Sequence, residues 1–131
     1  MSGPPIRVRR TFTQAEFDRF AELSGDDNPI HVDPAFSAAT RFGRTVAHGM
    51  LLYSALWGLI RRSFPGAVQD SQDLMFPSPT YAGDPMRLEI DVLDRPADGV
   101  LDLAVRVVAE RDGAVTLDGR TRIRLPQGGT V

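Results

Sequence analysis

Asp26 and His31 stand five positions apart in Asp26-Asp27-Asn28-Pro29-Ile30-His31, and a carboxylate and an imidazole at that spacing suit acid/base work. Pro29 lacks a donor and disfavours the helical region for Asn28, so a bent loop is expected. A bend lets both side chains converge on one small volume, where they could hold one water and move two protons. Asn28 is expected to fix the loop through an Asx-type bond to nearby backbone. The same residue types form ordinary turns, so this stretch alone leaves a plain turn open. A second group follows in Ala47-His48-Gly49-Met50. Gly49 opens an apolar run, and without a Cβ it lets a ligand come close to the backbone at a helix start. There, free N–H groups and the helix dipole favour negative charge. A carbonyl oxygen developing charge against the Gly49 N–H would gain about 3–4 kcal/mol from that donor. Tight packing at Gly49, with His48 merely decorating the helix start, is the plainer alternative.

The elements that must position these groups are legible on both sides. Ile6 to Phe12 mixes β-branched and aromatic residues with arginines and is expected to be an edge strand, Arg7 and Arg9 sharing a face. Thr13 with Glu16 three positions on forms a capping box, and Phe17, Phe20 and Ala21 stripe the helix that follows until Ser24-Gly25 ends it. Asp33-Pro34 predicts a second, short helix over Ala35 to Arg41, stopped near Gly43. From Gly49 to Ile60 the chain is apolar nearly all round and ends in Arg61-Arg62, the pattern of a buried helix too short to span a bilayer. Strands are expected over Leu74 to Tyr81, irregular because of Pro77 and Pro79, and over Met86 to Leu93 and Val100 to Glu110, whose apolar residues alternate. Asp112-Gly113 is a hairpin signal leading into Ala114 to Leu125. A buried helix followed by an antiparallel meander predicts an α+β fold.

The 131 residues predict one domain, with ends at 1–5 and 126–131 expected to be loose. Fifteen basic and seventeen acidic residues are interspersed, which argues against a nucleic-acid partner. There is no cysteine, hence no disulfide or thiolate metal site, and the two histidines are 17 positions apart without a helical pair, so no metal is expected. No stretch of 18 uncharged apolar residues and no signal-like run occur, so neither a membrane partner nor export is expected and the reading is cytoplasmic.

Phe20 to His31 followed by Ala47 to Leu51 strongly resembles the MaoC-like hydratase/dehydratase family, in particular its (R)-specific enoyl-CoA hydratases, and Phe76-Pro77-Ser78-Pro79-Thr80-Tyr81-Ala82-Gly83-Asp84 is similar to that family as well. The resemblance runs from about Thr11 to Leu125. It implies a hot-dog fold, a curved antiparallel sheet wrapped around the helix from Gly49, and a homodimer with joined sheets. It implies reversible hydration of trans-2-enoyl thioesters, with coenzyme A entering only as part of the substrate and no separate cofactor. By position, Asp26 and His31 match the acid/base pair and Gly49 the oxyanion donor. Asn28 matches the supporting polar residue, and with His48 and Met50 it is expected along the substrate. Dehydration of 3-hydroxyacyl groups on an acyl carrier protein or in a polyketide pathway is the close alternative. A non-catalytic subunit of a hetero-oligomeric dehydratase and a thioesterase are the more distant ones.

Overall fold

The computed structural model describes residues 4–126, so the expectation of loose ends at 1–3 and 127–131 lies outside the described residues. Its elements in chain order are β1 (Ile6–Thr11), α1 (Gln14–Ser24), α2 (Pro29–Val32), α3 (Pro34–Ala38), α4 (Gly49–Ser63), β2 (Val68–Met75), β3 (Pro85–Ala97), β4 (Val100–Ala109) and β5 (Val115–Arg124). The strands form one antiparallel sheet in the order β1-β3-β4-β5-β2. α4 packs on its inner face, where Leu56 and Ile60 meet the fully buried Ile90, Leu103, Val105 and Ile123. This is the α+β, hot-dog arrangement that the chain was expected to adopt. The alternation in β3 and β4 sets that face: Met86, Leu88, Ile90 and Val92 are buried, as are Leu101, Leu103, Val105 and Val107.

The local signals translate into the elements that border Asp26 and His31. The Thr13 hydroxyl accepts from the Glu16 N–H while the Glu16 carboxylate accepts from the Thr13 N–H, closing the capping box, and Gly25 ends α1 at φ 80°. Phe17 and Ala21 are buried on that helix, whereas Leu23 stays exposed. Among the described residues β1 pairs only with β3 and is therefore an edge.

Three expectations are corrected. The segment before His31 is not a continuous bent loop: Pro29 begins α2 at its first position, where its missing N–H costs nothing, and Asn28 caps the turn by accepting from the Ile30 N–H at 3.1 Å. α3 covers Pro34–Ala38 instead of Ala35 to Arg41. The strand expected over Leu74 to Tyr81 lies earlier, as β2, and most of the expected span is an irregular segment held to the Val46 stretch by a single bridge at Tyr81. The polar sequence of β2 hides it. What orders it is the ladder to β5, where Gly119 lets the strands close so tightly that a Cβ there would fall 2.0 Å from the Asp73 carbonyl oxygen.

Candidate active site

His31 is fixed from three directions. Its backbone carbonyl accepts from the Gln14 side chain of α1 at 2.8 Å, and Gln14 is held in turn by the Thr45 hydroxyl at 2.6 Å. The neighbouring Ile30 carbonyl accepts from the Val46 N–H at 2.9 Å and from the Ser37 hydroxyl at 3.2 Å. The ring itself donates from Nδ1 to the Val46 carbonyl at 2.7 Å. A carbonyl can only accept, so the neutral imidazole carries its proton on Nδ1 and presents a lone pair at Nε2. That Nε2 lies 3.8 Å from Asp26 Oδ2.

The gap is too long for a direct hydrogen bond and suits one water at about 2.8 Å from each atom. Both atoms are acceptors, so such a water donates one hydrogen to each and turns its oxygen lone pairs outward. Burial is unequal: the His31 side chain is 10% exposed and that of Asp26 56%. The expected convergence of Asp26 and His31 is thus present, through a helix turn instead of a loop.

Gly49 opens α4 beside them. Its N-cap, His48, makes no side-chain cap bond, so the Gly49 and Met50 N–H groups find no acceptor among the described residues, while the Leu51 N–H donates to the His48 carbonyl at 3.1 Å. A Cβ at Gly49 would lie 2.7 Å from the Phe76 ring, so the ring packs directly against this glycine. Asp26, His31 and Gly49 all border a cleft of about 660 Å³, together with the half-exposed Met50 and Phe76. Most of the exposed wall is apolar, as an acyl chain would need.

The remaining assignments divide. Met50 lines the cleft, 45% exposed. Asn28 is not among the residues that line it; its carboxamide oxygen caps α2. His48 sits in the cleft wall but only 3% exposed, its Nε2 donating to the Asp26 carbonyl at 2.8 Å. It stacks on His31 with centroids 3.8 Å apart and planes inclined by 24°. Burial above all holds the His48 pKa below its ordinary value, and His31 adds to this, against the raising effects of the Asp26 carbonyl and carboxylate.

The 17-residue separation of the histidines therefore misled about their proximity, since Asp26, His31 and His48 offer ligand atoms within 4.8 Å of one another. A chelating set is a poor fit all the same. Imidazole lone pairs lie in the ring planes, and two stacked, nearly parallel rings cannot aim them at one ion about 2.1 Å from each.

Sequence reasoning missed Thr80, Thr116, Ile30 and Arg41 on the cleft wall. Thr80 lay within the motif quoted for the family; Thr116 carried no signal, because burial at one point of an alternating strand does not reveal which neighbour it faces. Arg120, Arg122 and Arg124 follow one another at alternate positions on β5. Arg122 pairs with Asp102 and Arg124 with Asp70.

The MaoC like domain family model matches residues 2–112. The chain belongs to the MaoC-like family. It is 36% identical to an (R)-specific enoyl-CoA hydratase of Aeromonas caviae over 126 residues, 95% of this chain and 94% of that one. It is 42% identical to a mitochondrial 3-hydroxyacyl-[acyl-carrier-protein] dehydratase of Arabidopsis thaliana over 82 residues, 63% of this chain and 49% of the relative. The solved structure of the (R)-hydratase from A. caviae superposes with a TM-score of 0.89 at 36% identity, covering 96% of this chain and 97% of that one. Such agreement across the whole length carries the hot-dog architecture with it. No helix among the described residues is long and apolar enough to cross a membrane.

Proposed function

We propose that this MaoC-like protein reversibly hydrates trans-2-enoyl-CoA to (R)-3-hydroxyacyl-CoA, with Asp26 and His31 as the acid/base pair and Gly49 as the oxyanion donor. The observation that carries this reading is the juxtaposition of His31 Nε2 and Asp26 Oδ2, 3.8 Å apart, with the uncapped start of α4 on one cleft. The full-length similarity to a hydratase supports the choice of substrate.

The water held by both acceptors attacks C3 of the enoyl thioester. A C–O bond forms, the C2–C3 π electrons move toward the thioester carbonyl, and one water proton passes to the pair. The Gly49 N–H stabilises the oxygen that gains charge. Because neither group begins with an acidic proton facing the water, the proton then delivered to C2 is the one just taken, and hydrogen and hydroxyl add to the same face. No metal and no separate cofactor take part; coenzyme A arrives as the substrate's carrier. The active form is a homodimer, and Met50, Met75 and Phe76, 45%, 63% and 45% exposed, leave apolar surface near the cleft for a second copy to cover.

The test is hydration of crotonyl-CoA by the purified protein, followed as loss of the conjugated thioester absorbance, with the C3 configuration of the product resolved. Formation of the (R) product is expected. An (S) product, or no turnover with short, long or branched enoyl-CoAs, refutes the reading. The similarity to an acyl-carrier-protein dehydratase favours a second reading, in which the same chemistry runs on a carrier-protein thioester; turnover of that substrate alone would select it.

A further inference from the structure

His48 is the group at the site that the chemistry above leaves without a task. It occupies the N-cap of α4, yet its side chain does not cap that helix. Instead the ring crosses to the other element of the site. Nε2 donates to the Asp26 carbonyl at 2.8 Å, one face lies on the His31 imidazole at 3.8 Å, and the Phe20 ring packs on it at 4.8 Å. With Nε2 donating, the neutral ring keeps its lone pair at Nδ1, which is buried and meets no partner among the described residues. A buried acceptor without a donor is costly, so the ring is held there by what Nε2 and the ring faces provide.

Asp26 needs such a hold. It follows Gly25, where the left-handed turn at φ 80° ends α1, and residues 22–29 are all exposed. The other hydrogen bonds of Asp26 are local and longer: its N–H to the Ser24 hydroxyl at 3.1 Å and its Oδ1 to the Asn28 N–H at 3.5 Å. The bond from His48 ties this exposed segment to the rigid start of α4, and the stack sets the His31 ring at the same time.

We infer that His48 is a positioning residue which, through one hydrogen bond and one ring face, holds the Asp26 backbone and the His31 imidazole at their working separation. The inference rests on the hydratase reading. A neutral His48 also suits the role, because a charge stacked 3.8 Å from His31 would oppose protonation of that ring during turnover.

The experiment compares His48→Gln, which keeps a donor nitrogen the same number of bonds from Cα, with His48→Phe, which keeps a flat ring and loses the donor. On crotonyl-CoA, His48→Phe is expected to lower kcat by about 10–100-fold with KM within about twofold, and His48→Gln to recover most of that loss. If the side chain only fills space, Phe is the better replacement; a smaller loss in His48→Phe than in His48→Gln, or an effect confined to KM, overturns the inference. Nitrogen-15 chemical shifts of the imidazoles in the unaltered protein give a readout independent of folding and turnover in the variants: His48 is expected as the Nε2–H tautomer and His31 as the Nδ1–H tautomer. An Nδ1–H tautomer at His48 overturns the proposal. Failure of the unaltered protein to hydrate any enoyl-CoA would refute the hydratase reading itself, while the tautomers would still show whether the bond to Asp26 exists.

Discussion

Gly49→Ala should separate stability from activity. The added Cβ would lie 2.7 Å from two carbons of the Phe76 ring and 3.1 Å from a third, where carbon contacts settle at about 3.5–4.0 Å, so the ring must retreat by about 1 Å. Phe76 is a 45% exposed side chain and can swing, and replacing glycine near a helix start returns at most about 1 kcal/mol of helix propensity. The melting temperature should therefore move by only a few degrees. Activity should respond more strongly, because the new methyl and the displaced ring both occupy the space through which a carbonyl oxygen must come to within about 3 Å of the Gly49 N–H. Losing one oxyanion donor costs about 10²–10³-fold, and kcat/KM for crotonyl-CoA should fall by up to that factor. Thermal melts alongside the absorbance assay read both quantities. Turnover within about threefold of the unaltered enzyme would refute the oxyanion assignment. The double variant Gly49→Ala with Phe76→Ala then apportions the loss: recovery assigns it to the displaced ring, and no recovery assigns it to the methyl itself.

Asp26→Asn and His31→Ala should each lower kcat by about 10²–10⁴-fold, and near-normal turnover in either would remove that residue from the chemistry. The two should differ in stability: exposed Asp26 should be nearly neutral, whereas His31→Ala leaves the Val46 carbonyl without its ring donor and should cost about 1–3 kcal/mol, read by denaturant unfolding. The lowered pKa of buried His48 means that, as pH falls below its ordinary 6.5, the unfolded chain binds a proton the folded protein resists. Stability should therefore fall with pH through that acid window, and melts between pH 5 and 8 should show a shallower fall in His48→Gln. Arg41 stands on the cleft wall beside Phe42, so Arg41→Ala should raise KM for crotonyl-CoA several-fold while leaving KM for crotonyl-pantetheine unchanged; equal effects on both would show that it does not meet the carrier's phosphates.

What the sequence made legible was whatever is decided locally. The Thr13/Glu16 box, the Gly25 terminus, the apolar run of α4 and the alternation in β3 and β4 each follow from neighbours within a few residues, and each is in place. β2 was misplaced because Val68–Met75 carries only a weak apolar pattern; its order comes from β5, some fifty residues away in the chain. Pro29 was read as a helix breaker when it is a helix starter, a distinction that depends on whether the preceding Asn28 turns its carboxamide onto the Ile30 N–H. His48 shows the deepest limit: counting positions between histidines says nothing about their distance once α2 and the start of α4 are folded against each other.

The asymmetry between the two acid/base groups follows from this construction. His31 is anchored through its ring, its backbone and its stack, so its Nε2 is a fixed point in the cleft. Asp26 has an exposed carboxylate on an exposed segment, and its backbone carbonyl is held by His48. The imidazole thus defines where the water sits, and the carboxylate is brought to it. On this construction, loosening the tether should lower kcat without altering which face of C3 the water attacks, because the water stays against His31 and the carbonyl stays at Gly49. An (R) product formed slowly by His48→Phe fits this division of labour, and a racemic product would contradict it.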